Sequence, residues 1–270
     1  MNVVRSGRAE LAVSEFGDGP PVVLLHAGVT DRRSWLSTIA ELTEFRTIAY
    51  DRRGFGSTVF EPEPHSWTGD LEAVLNTCNI ERCVLAGNSQ GGRIAIDFAL
   101  ANPARVAGLF LLGTAVTGAP TQEPIEESAR WLVAAIDDAE HAGNLDEVNR
   151  LDAHLWLDGP NASEGRVGGA VRELFLEMNG RALRASDTGD ARQSESAWGR
   201  LSTLRIPVTI AVGTADLQHI RERSAVLASQ IPASDFVEFA GLGHIPQLEE
   251  PQRCAELIRD VTRRSTLSSD

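Results

Sequence analysis

Gly87-Asn88-Ser89-Gln90-Gly91 lies where a short apolar run, Cys83-Val84-Leu85-Ala86, gives way to Ile94-Ala95-Ile96-Asp97-Phe98-Ala99-Leu100, whose apolar spacing is helical. The junction predicts a strand, a sharp turn carrying a serine, and a helix. A serine lifted out of a sheet on so tight a turn draws the flanking backbone together, so the residues two before and two after it must be very small. Gly87 and Gly91 meet that demand, and Gly92 adds room. Two glycines and a serine at fixed offsets are a weak signal in a chain with 24 glycines. The setting between strand and helix is what turns the pattern into a constraint on the fold.

Downstream, an acid and a histidine follow in the order Ser, Asp, His, each at the end of a predicted strand. Ile206-Pro207-Val208-Thr209-Ile210-Ala211-Val212-Gly213 reads as a buried strand with Thr214-Ala215-Asp216 at its C-terminal edge. Phe236-Val237-Glu238-Phe239 is a second strand running into Gly241-Leu242-Gly243-His244. In an open parallel sheet those edges face one crevice, where residues distant in sequence converge.

With these residues in place the chain resembles the α/β-hydrolase family over nearly its whole length. Val22-Val23-Leu24-Leu25-His26-Ala27-Gly28 is similar to the strand and oxyanion turn that open that fold, and Tyr50-Asp51-Arg52-Arg53-Gly54-Phe55-Gly56-Ser57 to its next strand end and loop. Gly243-His244-Ile245-Pro246-Gln247-Leu248-Glu249-Glu250-Pro251 resembles the histidine loop and the start of the last helix. Members often carry His-Gly where this chain has His26-Ala27. The fold class expected is α/β: a mostly parallel central sheet flanked by helices, with an inserted helical cap. Residues 1–113 and 204–270 are expected to form the core and 114–203 the cap. Between Gly113 and about Leu204 the strand rhythm stops, and ~90 residues without a strand is too long for a simple connection. That stretch turns to acidic, helix-favouring segments carrying Trp131, Trp156, Trp198, Phe175 and Met178.

Composition narrows the chemistry. With 270 residues and 42% hydrophobic content the chain can bury one sizeable core. It contains no lysine, which excludes Schiff-base chemistry, Ser-Lys dyads and lysine-bearing phosphate loops. The formal charge of −13 repels nucleic acid and anionic membrane surfaces but says nothing positive about a substrate; the expected partner is a small-molecule substrate, with no nucleic acid and no membrane. Nothing marks monomer or homodimer. Cys78, Cys83 and Cys254 are odd in number and lack metal spacing, which fits buried thiols in a reducing compartment. The N-terminus has no secretory pattern and no run of 18 apolar residues occurs; the expected location is the cytoplasm. His65, His141, His154 and His219 show no ligand spacing, so no metal and no cofactor are expected.

Ser89 is a poor nucleophile as a neutral hydroxyl and needs a base, for which His244 is the candidate. Asp216 would accept from the other imidazole nitrogen and stabilise the imidazolium. The backbone N–H groups of Gln90 and Gly28 are the expected oxyanion donors, with Val29 the competitor for the second. His26 and Val29 beside that turn, and Trp131 and Trp156 in the cap, are the expected pocket residues. His26 has a rival role in ordering the oxyanion loop through hydrogen bonds, and Asp51, Arg52 and Arg53 divide between substrate contact and a structural turn. The resemblance implies a serine hydrolase of small or medium carboxylic esters, thioesters or lactones, acting through an acyl-enzyme. It leaves open a hydrolase of carbon–carbon bonds in vinylogous diketones, a cofactor-free perhydrolase or haloperoxidase, a biosynthetic lyase or cyclase, and a ligand receptor or regulatory protein with slow turnover.

Overall fold

The computed structural model describes residues 2–120 and 126–267. In chain order the strands are β1 (Asn2–Ser6), β2 (Ala9–Phe16), β3 (Pro21–Leu25), β4 (Arg46–Tyr50), β5 (Val59–Phe60), β6 (Cys83–Asn88), β7 (Val106–Leu112), β8 (Val208–Gly213) and β9 (Ser234–Phe239). The helices are α1 (Leu36–Ala40), α2 (Trp67–Thr77), α3 (Gln90–Ala101), α4 (Glu127–His141), α5 (Leu145–Asp152), α6 (Gly169–Leu183), α7 (Gln218–Gln230), α8 (Pro246–Glu249) and α9 (Pro251–Leu267). All nine strands form one sheet in the order β1-β2-β4-β3-β6-β7-β8-β9, with β5 pairing β2. Strands β4, β3, β6, β7, β8 and β9 run parallel, and β1, β2 and β5 pair antiparallel at one end.

Strands covered on both faces need apolar residues at every position, and every residue of β6 and of β8 is buried. One face packs Leu71, Val74 and Leu75 of α2, Ile94 and Phe98 of α3 and Leu227 of α7. The other packs Ile39 of α1 with Cys254, Ala255, Ile258 and Val261 of α9. Local signals set the helix ends: the Ser66 hydroxyl accepts from the Gly69 N–H at 2.9 Å to start α2, and Pro246 and Pro251 open α8 and α9. The three cysteines are free and buried, and burial raises the Cys83 thiol to about 12.

Between β7 and β8 the chain leaves the sheet and forms α4, α5, a π-helical turn at Ala153–Asp158, and α6. This layer meets the sheet over its C-terminal strand ends. Leu132 and Ile136 of α4 and Val148 and Leu151 of α5 pack with Val212, Leu217 and Ile220, while Ala153, Leu157, Phe175 and Met178 pack with Ala27, Ile245 and Leu248. Two features lay outside the sequence reading. β1 makes a hairpin with β2, and Ala191 returns to bridge His65, with Arg192 N–H donating to the His65 carbonyl at 2.7 Å.

Candidate active site

The turn after β6 is as strained as its spacing predicts. Ser89 has φ 53° and ψ −114°, a conformation in the positive-φ region that non-glycine residues avoid. A Cβ on Gly87 would lie 2.5 Å from the Gly92 nitrogen, and one on Gly91 would strike the Leu25 carbonyl. Neither backbone can retreat, because β6 pairs β3 through Leu25 and Gly87. The Ser89 N–H is held by the Leu112 carbonyl at 2.8 Å, and its own carbonyl accepts from Arg93 and Ala115. Ser89 is half-buried at the N-terminus of α3, where unpaired amides and the helix dipole favour negative charge.

The structure brings Asp216 and His244 together at the ends of β8 and β9. Both are buried, and His244 Nδ1 donates to Asp216 Oδ2 at 2.6 Å. Asp216 Oδ1 accepts from the Leu217 N–H at 2.8 Å. Because Asp216 occupies Nδ1, the nitrogen left to act as a base is Nε2. Gly113, with φ 52°, lets the chain pass under the pair: a Cβ there would be 3.0 Å from the imidazole.

Asn88, buried one residue before the serine, joins the two loops. Its Nδ2 donates to the Leu112 carbonyl at 2.9 Å and to the His244 carbonyl at 3.1 Å, and its Oδ1 accepts from Gln247 Nε2 at 3.0 Å. The helical layer holds the same loop from above: the His244 N–H donates to the Trp156 carbonyl at 2.9 Å, and the indole lies 4.9 Å from the imidazole, tilted by 48°. Sequence reasoning gave Asn88 and Gln247 no part in joining these loops. The available signal was a polar residue ending a wholly apolar strand, since a buried carboxamide requires partners.

Gly28 and Val29 are half-buried just after β3, with Val29 and Trp156 both packed against the cluster that contains Ala27 and Leu157. Two expected pocket residues stand elsewhere. His26 is fully buried behind the turn, its Nδ1 donating to the Ala27 carbonyl at 2.7 Å and its Nε2 accepting from the Arg52 N–H at 3.1 Å. Burial and the Arg52 charge hold it neutral by lowering its pKa well below the ordinary value, so it orders the loop. Trp131 is 55% exposed on α4, edge-on to His154, because its helix turns its apolar stripe of Ala129, Leu132 and Ile136 inward instead.

The Asp51-Arg52-Arg53 run divides in function. Asp51 accepts from the Arg32 and Ser57 N–H groups and pairs with the Arg32 guanidinium, and Arg53 binds Asp70 at 2.9 Å and Glu63 at 2.7 Å. These contacts shape the loop. Arg52 makes no such pair among the described residues. Among the described residues no cluster of His, Cys, Asp and Glu could hold a metal, and no helix is long and apolar enough to cross a membrane.

A parallel sheet with a strained serine after its central strand and an Asp–His pair at two neighbouring strand ends defines the α/β-hydrolase class of enzymes. The model of the alpha/beta hydrolase family matches residues 22–257, and the chain belongs to that family. The activity this membership supports is hydrolysis. The AB hydrolase superfamily protein YisY of Bacillus subtilis is 29% identical over 258 residues, covering 92% of this chain and 93% of that protein. The 2-hydroxymuconate semialdehyde hydrolase of a Pseudomonas species is 29% identical over 254 residues, covering 91% and 88%. Among solved structures, a thermophilic esterase from Thermogutta terrifontis superposes with a TM-score of 0.74 at 27% identity, covering 98% of this chain and 97% of that one.

Proposed function

We propose that the chain is a serine hydrolase that cleaves small or medium carboxylic esters, thioesters or lactones through an acyl-enzyme, with residues 114–203 as its cap. The observation that carries this reading is the buried 2.6 Å Asp216–His244 contact, tied by Asn88 to the strained turn that bears Ser89. Ser89 Oγ attacks the carbonyl carbon while His244 Nε2 takes its proton, and the imidazolium is stabilised by Asp216. The Gln90 and Gly28 N–H groups receive the developing oxyanion, each contributing on the order of 10²-fold or more in rate. The protonated imidazole then gives its proton to the leaving oxygen or sulfur. Water, deprotonated by His244, releases the acid and restores Ser89. These steps use only side chains and backbone amides, and no cofactor enters them.

A second reading, cleavage of a carbon–carbon bond in a vinylogous diketone, is supported by the resemblance of Asn88 and Gly91-Gly92 to that branch of the family and by the semialdehyde hydrolase among the relatives, although Gln90 stands where that branch tends to carry methionine. Both readings share the activated serine. Intact mass after exposure to a fluorophosphonate is expected to show one adduct on the wild type and none on Ser89→Ala. Folded wild-type protein that takes up no adduct would overturn the nucleophile assignment. Turnover of matched esters and diketones by the labelled-competent enzyme then separates the two substrates.

A further inference from the structure

Arg52 is a fully buried cation beside the oxyanion turn, and among the described residues it faces only neutral acceptors. Its guanidinium donates to the Ala27 carbonyl at 2.9 Å, the His26 carbonyl at 3.4 Å and the Gln90 Oε1 at 3.0 Å. It lies 4.5 Å from the Phe55 ring centroid and 5.5 Å from that of Trp67. Burial, with the nearby Arg93 charge, pushes its pKa down to about 10. Asp51 and Arg53 carry ion pairs of that loop, whereas among the described residues Arg52 is buried without a carboxylate partner.

The contact with Gln90 has a directional consequence. A guanidinium only donates, so the Gln90 oxygen must face Arg52 and its NH2 group must face away. A Cβ placed on Gly28 would lie 2.7 Å from Gln90 Nε2 and 2.9 Å from its Cδ, so the carboxamide lies directly over the oxyanion turn. Gly28 leaves room for the Gln90 carboxamide in this position, and a side chain at 28 would displace it. Gln90 is exposed, and among the described residues its Nε2 has no protein acceptor. A cation donating to the amide oxygen also polarises the N–H bonds and strengthens them as donors.

We infer that the Gln90 side chain, aimed by Arg52, is a substrate-reading donor that selects acyl groups carrying a second acceptor oxygen next to the scissile carbonyl, such as α-alkoxy, α-hydroxy or 2-oxo acyl groups. The inference rests on the serine-hydrolase reading, in which the Gly28 N–H holds the carbonyl oxygen. Nε2 lies over that residue, so two acceptors a bond or two apart match the two donors. Gln90 thereby acts twice, through its amide on the oxyanion and through its side chain on the neighbouring atom. Arg52 touches no substrate and is a positioning residue.

The test compares kcat/KM for p-nitrophenyl methoxyacetate and p-nitrophenyl butyrate, whose acyl chains have equal length, in the wild type and in Gln90→Met, Gln90→Glu and Arg52→Met. The methoxyacetate-to-butyrate ratio is expected to fall about tenfold in Gln90→Met, the effect of one hydrogen bond. It should fall as far in Gln90→Glu, which keeps the contact to Arg52 but only accepts. Arg52→Met should move the ratio the same way. A wild-type ratio in the Gln90 variants, or an equal loss on both substrates that assigns the side chain to the oxyanion alone, overturns the inference. Wild-type protein that neither hydrolyses these esters nor takes up fluorophosphonate overturns the functional reading itself.

Discussion

Ser89 holds a backbone conformation that costs of order 1–3 kcal/mol for a residue with a Cβ, and it persists because Leu112, Arg93 and Ala115 grip it on both sides. The strain places the hydroxyl clear of the sheet at the start of α3. Glycine reaches the same angles without that cost. Ser89→Gly is therefore expected to be more stable than both the wild type and Ser89→Ala, by about 1 kcal/mol, while losing turnover. Urea unfolding of the three proteins checks this, and equal midpoints for the glycine and alanine variants would show the turn to be unstrained. The spacing of Gly87, Ser89 and Gly91 was readable because close approach of β3 and the turn forbids any side chain there. The buried place of His26 was not, since a histidine at a strand end is equally compatible with a pocket and with a backbone-capping role.

At the scale of elements, the π-helical turn Ala153–Asp158 fixes the histidine loop through the Trp156 carbonyl and ring. Wider helical turns of this kind recur at functional sites because they redirect one side chain without ending the helix. Just before it, Asp152 is buried against Asn179, which donates to it at 2.8 Å, and against the Trp156 indole. Burial raises its pKa to about 6 despite those two donors. The sign follows from the folded value exceeding the unfolded one, ~4. The folded state binds the proton more tightly, so the group's contribution to stability falls as pH rises from about 4 to about 6 and then stays level. Asp152→Asn keeps an acceptor and removes the charge, so relative to wild type it should gain on the order of 2–3 kcal/mol in stability between pH 4 and pH 8. Urea unfolding at both pH values reads the difference, and a pH-independent offset would place the ionisation elsewhere.

At the scale of the whole molecule, the −13 formal charge sets the field that a substrate meets before it reaches the site. For an ester bearing a remote carboxylate, kcat/KM is expected to rise severalfold relative to neutral p-nitrophenyl butyrate between ~0.01 and ~0.15 M salt, as the Debye length falls from about 30 to 8 Å. A falling ratio would mean that the buried Arg52 charge outweighs the surface field at the entrance. The sequence by itself determined the fold class and the places of Ser89, Asp216 and His244, because a parallel sheet gathers the C-terminal ends of its strands and each of those residues follows a run that reads as a strand, wholly buried before Ser89 and Asp216 and largely exposed before His244. It did not mark β1, in which Val4 is the one residue of five that is buried, too little alternation to register as a strand. Only the tertiary structure decided the Asn88–Gln247 bridge, the seat of Trp156 against His244, the exposure of Trp131 and the coupling of Arg52 to Gln90. Those depend on which side chains meet across long loops, and hydrogen-bond direction and packing between distant segments leave no periodic trace along the chain.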